Sequence, residues 1–284
     1  MVLLGAVLAV LTACGAPAQA PGTYTPLSST TQPRARSTTP ATSTASHTPD
    51  PAPDSWHVAA SPLPLRPDGF GKVLPTPREL VVRDLPTHDL LPPPNDGRYQ
   101  ATIQPVPPEV LARSSWHPGC PVAAAELRYL TMSFWGFDNQ PHTGEMLVNA
   151  SIAEDVTEVF GKLYAARFPI EAMRVTRADE LNAPPTGDGN NTGAFVCKTV
   201  EYSSSWSAHA YGLAIDLNPF CNPYRKGDLV LPELASAYLD RSWQRPGMVY
   251  PGGVAVRAFT SVGWTWGGTW TSPKDLMHFS KTGH

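Results

Sequence analysis

The sequence predicts an α+β fold, a small antiparallel sheet with flanking helices, in the C-terminal part of the chain. Three observations lead there. Of the 32 prolines, 20 lie before residue 110, whereas seven of the eight tryptophans lie after it. The residues able to build a core are therefore concentrated in 105–284, a length that can bury one. Apolar residues alternate over Gly144–Asn149 and then repeat at helical spacing from Ile152 to Tyr164. Helices and short strands follow one another without a βαβ rhythm, and no internal repeat is visible, which favours an antiparallel sheet.

Residues 1–13 read as a lipoprotein signal peptide. Val2 to Ala13 is almost wholly apolar and has the length of a secretory h-region rather than of a membrane span. It ends in Leu11-Thr12-Ala13-Cys14-Gly15, which resembles a bacterial lipobox with Cys14 as the lipidated residue. An ordinary signal peptide cut at Ala18-Gln19-Ala20 is the alternative. Residues 14–55 read as a tether: of the 35 residues from Pro21 to Ser55, 22 are Ser, Thr or Pro, too few of them apolar to offset the entropy of ordering. Residues 56–104 remain proline-punctuated but carry more Leu and Val, and read as an extended arm lying against the domain.

Within 105–284, Pro108-Glu109-Val110-Leu111 starts a short helical turn, and Ala123–Leu130 is a helix end or a strand entry. Gly144–Asn149 is a strand. Ser151 and Glu154 have capping-box spacing ahead of Ile152, Val156, Val159, Phe160, Leu163 and Tyr164, and Pro169 closes that helix. Asn182–Gly193 is a loop, Pro232–Leu239 a second helix, and Phe259–Trp266 a strand kinked at Gly263. The domain has 14 Lys/Arg against 17 Asp/Glu, net −3, which argues against a nucleic-acid footprint. No apolar run reaches the ~18 residues of a spanning helix.

Two clusters carry chemistry. In Ser207-Ala208-His209-Ala210-Tyr211-Gly212-Leu213-Ala214-Ile215-Asp216, strand alternation aims Asp216 away from the apolar face of Leu213, Ile215 and Leu217, with His209 in the preceding turn. In Asp275-Leu276-Met277-His278-Phe279, Pro273-Lys274 bends the chain so that Asp275 comes beside His278. Two histidines and a carboxylate suit a catalytic zinc with one position open. A second carboxylate nearby suits a general base. His47, His57, His88, His117, His142 and His284 are read as ordinary histidines.

Ser207-x-His209-x6-Asp216 with Asp275-x-x-His278 resembles the zinc D-alanyl-D-alanine carboxypeptidases and L-alanyl-D-glutamate endopeptidases, the VanY-like peptidoglycan metallopeptidases. Gly119-Cys120-Pro121-Val122, Asn190-Asn191-Thr192, Phe195-Val196-Cys197, Asn222-Pro223-Tyr224 and Gly263-Trp264-Thr265-Trp266-Gly267-Gly268 extend the resemblance over Trp116–Lys281. It implies His209, Asp216 and His278 as Zn2+ ligands, Asp275 as base, and a zinc site in an open groove on the sheet. Where the family carries Arg after Phe-x-Cys, this chain has Lys198, which keeps the charge but loses the fork. Where the family carries Asp in Trp-Gly-Gly-x-Trp, it has Thr269.

Ser207, Trp266 and Trp270 are expected at the substrate, with Trp206 and Trp264 as groove or core residues. Three cysteines remain beyond Cys14, so one is odd in any pairing; Cys120–Cys197 is the first choice. The resulting expectation is an exported, monomeric zinc carboxypeptidase acting on peptidoglycan stem peptides. It is anchored by lipid at the outer face of the bacterial cytoplasmic membrane, facing the wall. An L-alanyl-D-glutamate endopeptidase and a non-catalytic wall-binding lipoprotein on the same fold are the alternatives. The candidate cations for a substrate carboxylate are Lys198, Arg225, Lys226 and Lys274.

Overall fold

The computed structural model describes residues 56–200 and 203–283. The signal peptide, Cys14, the Ser/Thr/Pro tether, His47 and His284 lie outside the described residues. The fold is α+β, with several small antiparallel sheets and few helices. No described helix is long and apolar enough to cross a membrane.

The first sheet is a meander of β1 (Ala101–Pro105), β2 (Leu127–Trp135) and β3 (Pro141–Asn149), antiparallel throughout. Helix α1 (Pro108–Arg113) links β1 to the segment before β2. It has proline at its first position, where the missing N–H costs nothing. Ala123–Leu130 is both things at once, a 3-10 turn over Ala124–Glu126 and then the start of β2. Helix α2 (Ala153–Ala165) buries Val156, Val159, Phe160, Leu163 and Tyr164 as its spacing predicts. Its expected Ser151–Glu154 cap does not form. Asn149 takes that role, its side chain accepting from Ser151 N at the head of a 3-10 turn over Ala150–Ile152.

A second sheet has the order β6 (Ala214–Asp216), β11 (His278–Ser280), β9 (Thr265–Trp266). A third has β10 (Lys274–Asp275), β7 (Tyr224–Lys226), β8 (Leu229–Leu231). The expected loop before Gly193 carries one short strand, β5 (Asn191–Thr192), parallel to β4 (Ala172–Met173). Helix α3 (Val254–Thr260) replaces the expected start of a strand at Phe259. Ala255, Ala258 and Phe259 bury one stripe of it, and Gly263, at φ +80°, turns the chain into β9. Phe259 stacks on Phe279 of β11 at 3.9 Å between ring centroids, so α2, α3 and the first two sheets share one core.

The expected helix over Pro232–Leu239 is only a 3-10 turn, Ser236–Leu239. Its backbone groups are taken elsewhere: Leu234 N donates to Gly187 O and Thr76 Oγ1 donates to Leu234 O. The second of these partners belongs to the arm, which is bound to the body along its length. Leu80 is fully buried, Trp56 Nε1 donates to Asp188, and Gly71 N donates to Glu233. The Arg83 guanidinium is buried against Glu171.

Candidate metal centre

His209 is placed by a 3-10 turn, Ala208–Tyr211. Ser207 Oγ accepts from His209 N at 3.3 Å and caps that turn. The turn ends at Gly212, φ +67°, where a Cβ would stand 2.6 Å from Asn149 N; only glycine closes this corner. The imidazole is fixed from behind. Nδ1 lies 2.7 Å from Ala194 O, so Nδ1–H donates to that carbonyl and Nε2 presents its lone pair forward.

Asp216 and His278 are directly opposed across β6 and β11. Asp216 is further held by Gly193, with which it exchanges two backbone hydrogen bonds of 2.9 and 3.1 Å. Three atoms converge: His209 Nε2 and His278 Nδ1 are 3.2 Å apart, and Asp216 Oδ1 is 3.3 Å from the first and 3.2 Å from the second. Both histidines are buried.

This donor set fits a divalent metal. With the Nδ1–H of His209 committed to Ala194, and His278 carrying its proton on Nε2 when a cation is bound, two imidazole nitrogens and a carboxylate oxygen would turn lone pairs onto one point. One cation satisfies all three, and the N2O set is one that zinc accepts. Burial would raise the Asp216 carboxyl, but the facing His209 and His278 overcome it and hold Asp216 well below the usual carboxylate range.

Asp275 stands in the opposite condition. Its Oδ1 is buried without a hydrogen-bond partner. Burial first, and then the neighbouring Asp216, push its carboxyl up to about 7, against the pull of His278 and Lys198. The two carboxyls are thus driven in opposite directions, Asp216 toward the ionised form and Asp275 toward a proton held near neutral pH. Lys198 is exposed, yet near enough for its charge to act on Asp275.

Residues 201–281 match the D-alanyl-D-alanine carboxypeptidase family. The matched segment contains His209, Asp216, Asp275 and His278 together. The match supports the resemblance read from the sequence and, with it, a peptidase of the peptidoglycan-related metallopeptidase type. Comparison with curated proteins and with solved structures found no match to the chain. Ala194 and Lys198 lie before the matched segment, yet the fold brings the carbonyl of Ala194 to His209 and the charge of Lys198 to bear on Asp275.

The remaining expected site residues divide. Trp270 is half-buried beside His278, 5.4 Å between ring centroids, and borders the cluster. Trp266 is corrected to a core residue: it is 4% exposed, and its Nε1 donates to Leu276 O. Trp264 is likewise core, while Trp206 is exposed. Thr269 Oγ1 donates to Trp266 O within the turn Gly267–Thr269. Cys120 is disulfide-bonded to Cys197, and Cys221 is a buried free thiol.

Sequence reasoning did not find the Ala194 carbonyl or Gly193, because backbone groups leave no residue-type signal. His142, read as an ordinary histidine, serves the fold rather than the site. His142 is buried between Asp89 of the arm, 2.8 Å from Nδ1, and Asp138, 3.1 Å from Nε2, and it joins the arm to β3.

Proposed function

We propose that the protein is a zinc-dependent peptidoglycan stem-peptide hydrolase, acting as a D-alanyl-D-alanine carboxypeptidase. The observation that carries this is the convergence of His209 Nε2, Asp216 Oδ1 and His278 Nδ1 beside the unpartnered carboxylate oxygen of Asp275. The three converging atoms would hold Zn2+. When bound, the ion supplies Lewis acidity to the scissile carbonyl and the attacking water.

Asp275 takes the proton from that water through its free Oδ1 and returns it to the leaving amine. Its burial keeps the proton transfer away from bulk solvent. Lys198 contributes positive charge toward the developing oxyanion or the substrate's terminal carboxylate. As an ammonium it does so as a point charge, without the geometric selection of a guanidinium. Trp270, beside His278, offers an aromatic wall to the substrate backbone.

The choice of carboxypeptidase over L-alanyl-D-glutamate endopeptidase rests on the cation at Lys198 and on the proposed lipid anchor at Cys14. The anchor would hold the enzyme at the outer membrane face, where new pentapeptide stems emerge. Mass spectrometry of a stem pentapeptide incubated with the zinc-loaded protein tests this. Loss of one alanine mass is the expected product. A fragment pair split after L-Ala would make the protein the endopeptidase, and an unchanged pentapeptide would leave a wall-binding module.

A further inference from the structure

Strand β10 has two faces. Asp275 is turned toward the metal cluster. Lys274, its neighbour, lines a separate cavity of about 540 Å³ together with Arg225 and Arg241. Three of the candidate cations named from the sequence were Arg225, Lys226 and Lys274; the fold sends the first and third of these here, away from Lys198.

The charges of this cavity are unbalanced. No Asp or Glu lines it. Arg225 and Lys274 are directly opposed in the β7–β10 register, an arrangement of like charges that destabilises a strand pair. Neither makes an ion pair among the described residues. Arg225 Nε donates to Gly227 O at 3.3 Å, and Lys274 Nζ donates to Gly268 O at 3.1 Å. Arg241 is half-buried and donates only to neutral acceptors, the carbonyls of Cys221, Tyr238 and Val249 and the side chain of Asn222. Burial lowers its pKa to about 10, the direction expected of a guanidinium without an anion. Thr271 and Ser272 add hydroxyls to the lining, and Val249 and Tyr250 add apolar surface.

An anion between Arg225 and Lys274 would relieve their repulsion. A guanidinium takes a carboxylate as a fork, and the ammonium adds a second contact. A bare phosphate would leave the apolar surface of Val249 and Tyr250 uncovered, whereas a carboxylate on a short apolar peptide covers both parts. We propose that this cavity is a second binding site, which takes the free C-terminal carboxylate of a short peptide. Resting on the function proposed above, that peptide is a stem peptide other than the one being cut.

Calorimetric titration of the full chain with acetyl-D-Ala-D-Ala and with its C-terminal amide tests the site. The titration uses the His278→Ala variant, with EDTA-treated wild type as a second metal-free form should that variant not fold. One equivalent of dipeptide should bind either form. Affinity should fall about tenfold for the amide, and about tenfold in Arg225→Ala or Lys274→Gln on the same background. Absence of binding to both metal-free forms, or binding indifferent to Arg225→Ala and Lys274→Gln, overturns the proposal. So does displacement of the dipeptide by equimolar inorganic phosphate, or capture of phosphatidylglycerol vesicles through Arg225 and Lys274 without dipeptide binding. Cavity binding in a protein that cuts no stem peptide would retain the site and remove only the hydrolase reading.

Discussion

Asp216 and Asp275 are the same residue type in one site, and their surroundings drive them apart. Two imidazoles face Asp216, whereas the free oxygen of Asp275 has no partner. Asp275→Ala should therefore leave metal content unchanged while turnover of the pentapeptide falls about 10²–10⁴-fold, the usual worth of a general base. Retained turnover in a steady-state assay would assign the proton transfer elsewhere. A third acid, Glu145, is structural. It is buried and bonded to Arg113 and to Tyr129 Oη. Burial would raise its carboxyl, but Arg113 and Tyr129 prevail and hold it below the usual glutamate range. A depressed folded pKa gives stability that is present above that value and lost as pH falls through the folded pKa. Glu145→Gln should lose roughly 1–3 kcal/mol at pH 7 in urea unfolding. The gap to wild type should narrow below about pH 4.

At the scale of elements, one short segment organises the site. Gly193 pairs with Asp216, Ala194 O holds His209, Val196 N donates to His209 O, and Lys198 acts on Asp275. The disulfide from Cys197 to Cys120 fixes the segment's end across 77 residues of sequence. Cys120→Ser with Cys197→Ser should cost about 2–4 kcal/mol in thermal or urea unfolding. The double variant should also bind zinc more weakly in a chelator competition. Unchanged affinity would show that the hydrogen bonds alone hold the segment.

Asp216 was legible from strand alternation, His209 and Asp275 from the turn and the bend ahead of their strands, and the four as one set through the family resemblance their spacing carries. Their support was not, because carbonyls such as Ala194 O have no letter of their own. Helix α2 was legible from its six-position apolar stripe. Helix α3 was not, since its seven residues offer one buried stripe of three and sit between glycine turns. Pro232–Leu239 failed as a helix for a different reason. Distant segments, Gly187 and Thr76 among them, claim its backbone groups, and no local pattern reports a tertiary claim.

For the whole molecule, the arm from residue 56 is part of the folded body. Arg83→Ala would leave Glu171 buried without its guanidinium, expected to cost about 3–5 kcal/mol in urea unfolding. A loss under about 1 kcal/mol would mean that the arm is dispensable to the fold. The proposed anchor, Cys14, lies outside the described residues; Cys14→Ser should shift the protein out of the membrane fraction without changing pentapeptide turnover. Three side chains, from a turn and two paired strands, would hold one metal ion at a single point. Zinc content per chain, measured by plasma mass spectrometry after dialysis, tests it most directly. One zinc is expected in wild type and in Asp275→Ala, and none in His209→Ala or His278→Ala. A folded wild type that retains no zinc, or histidine variants that retain it in full, would contradict the account.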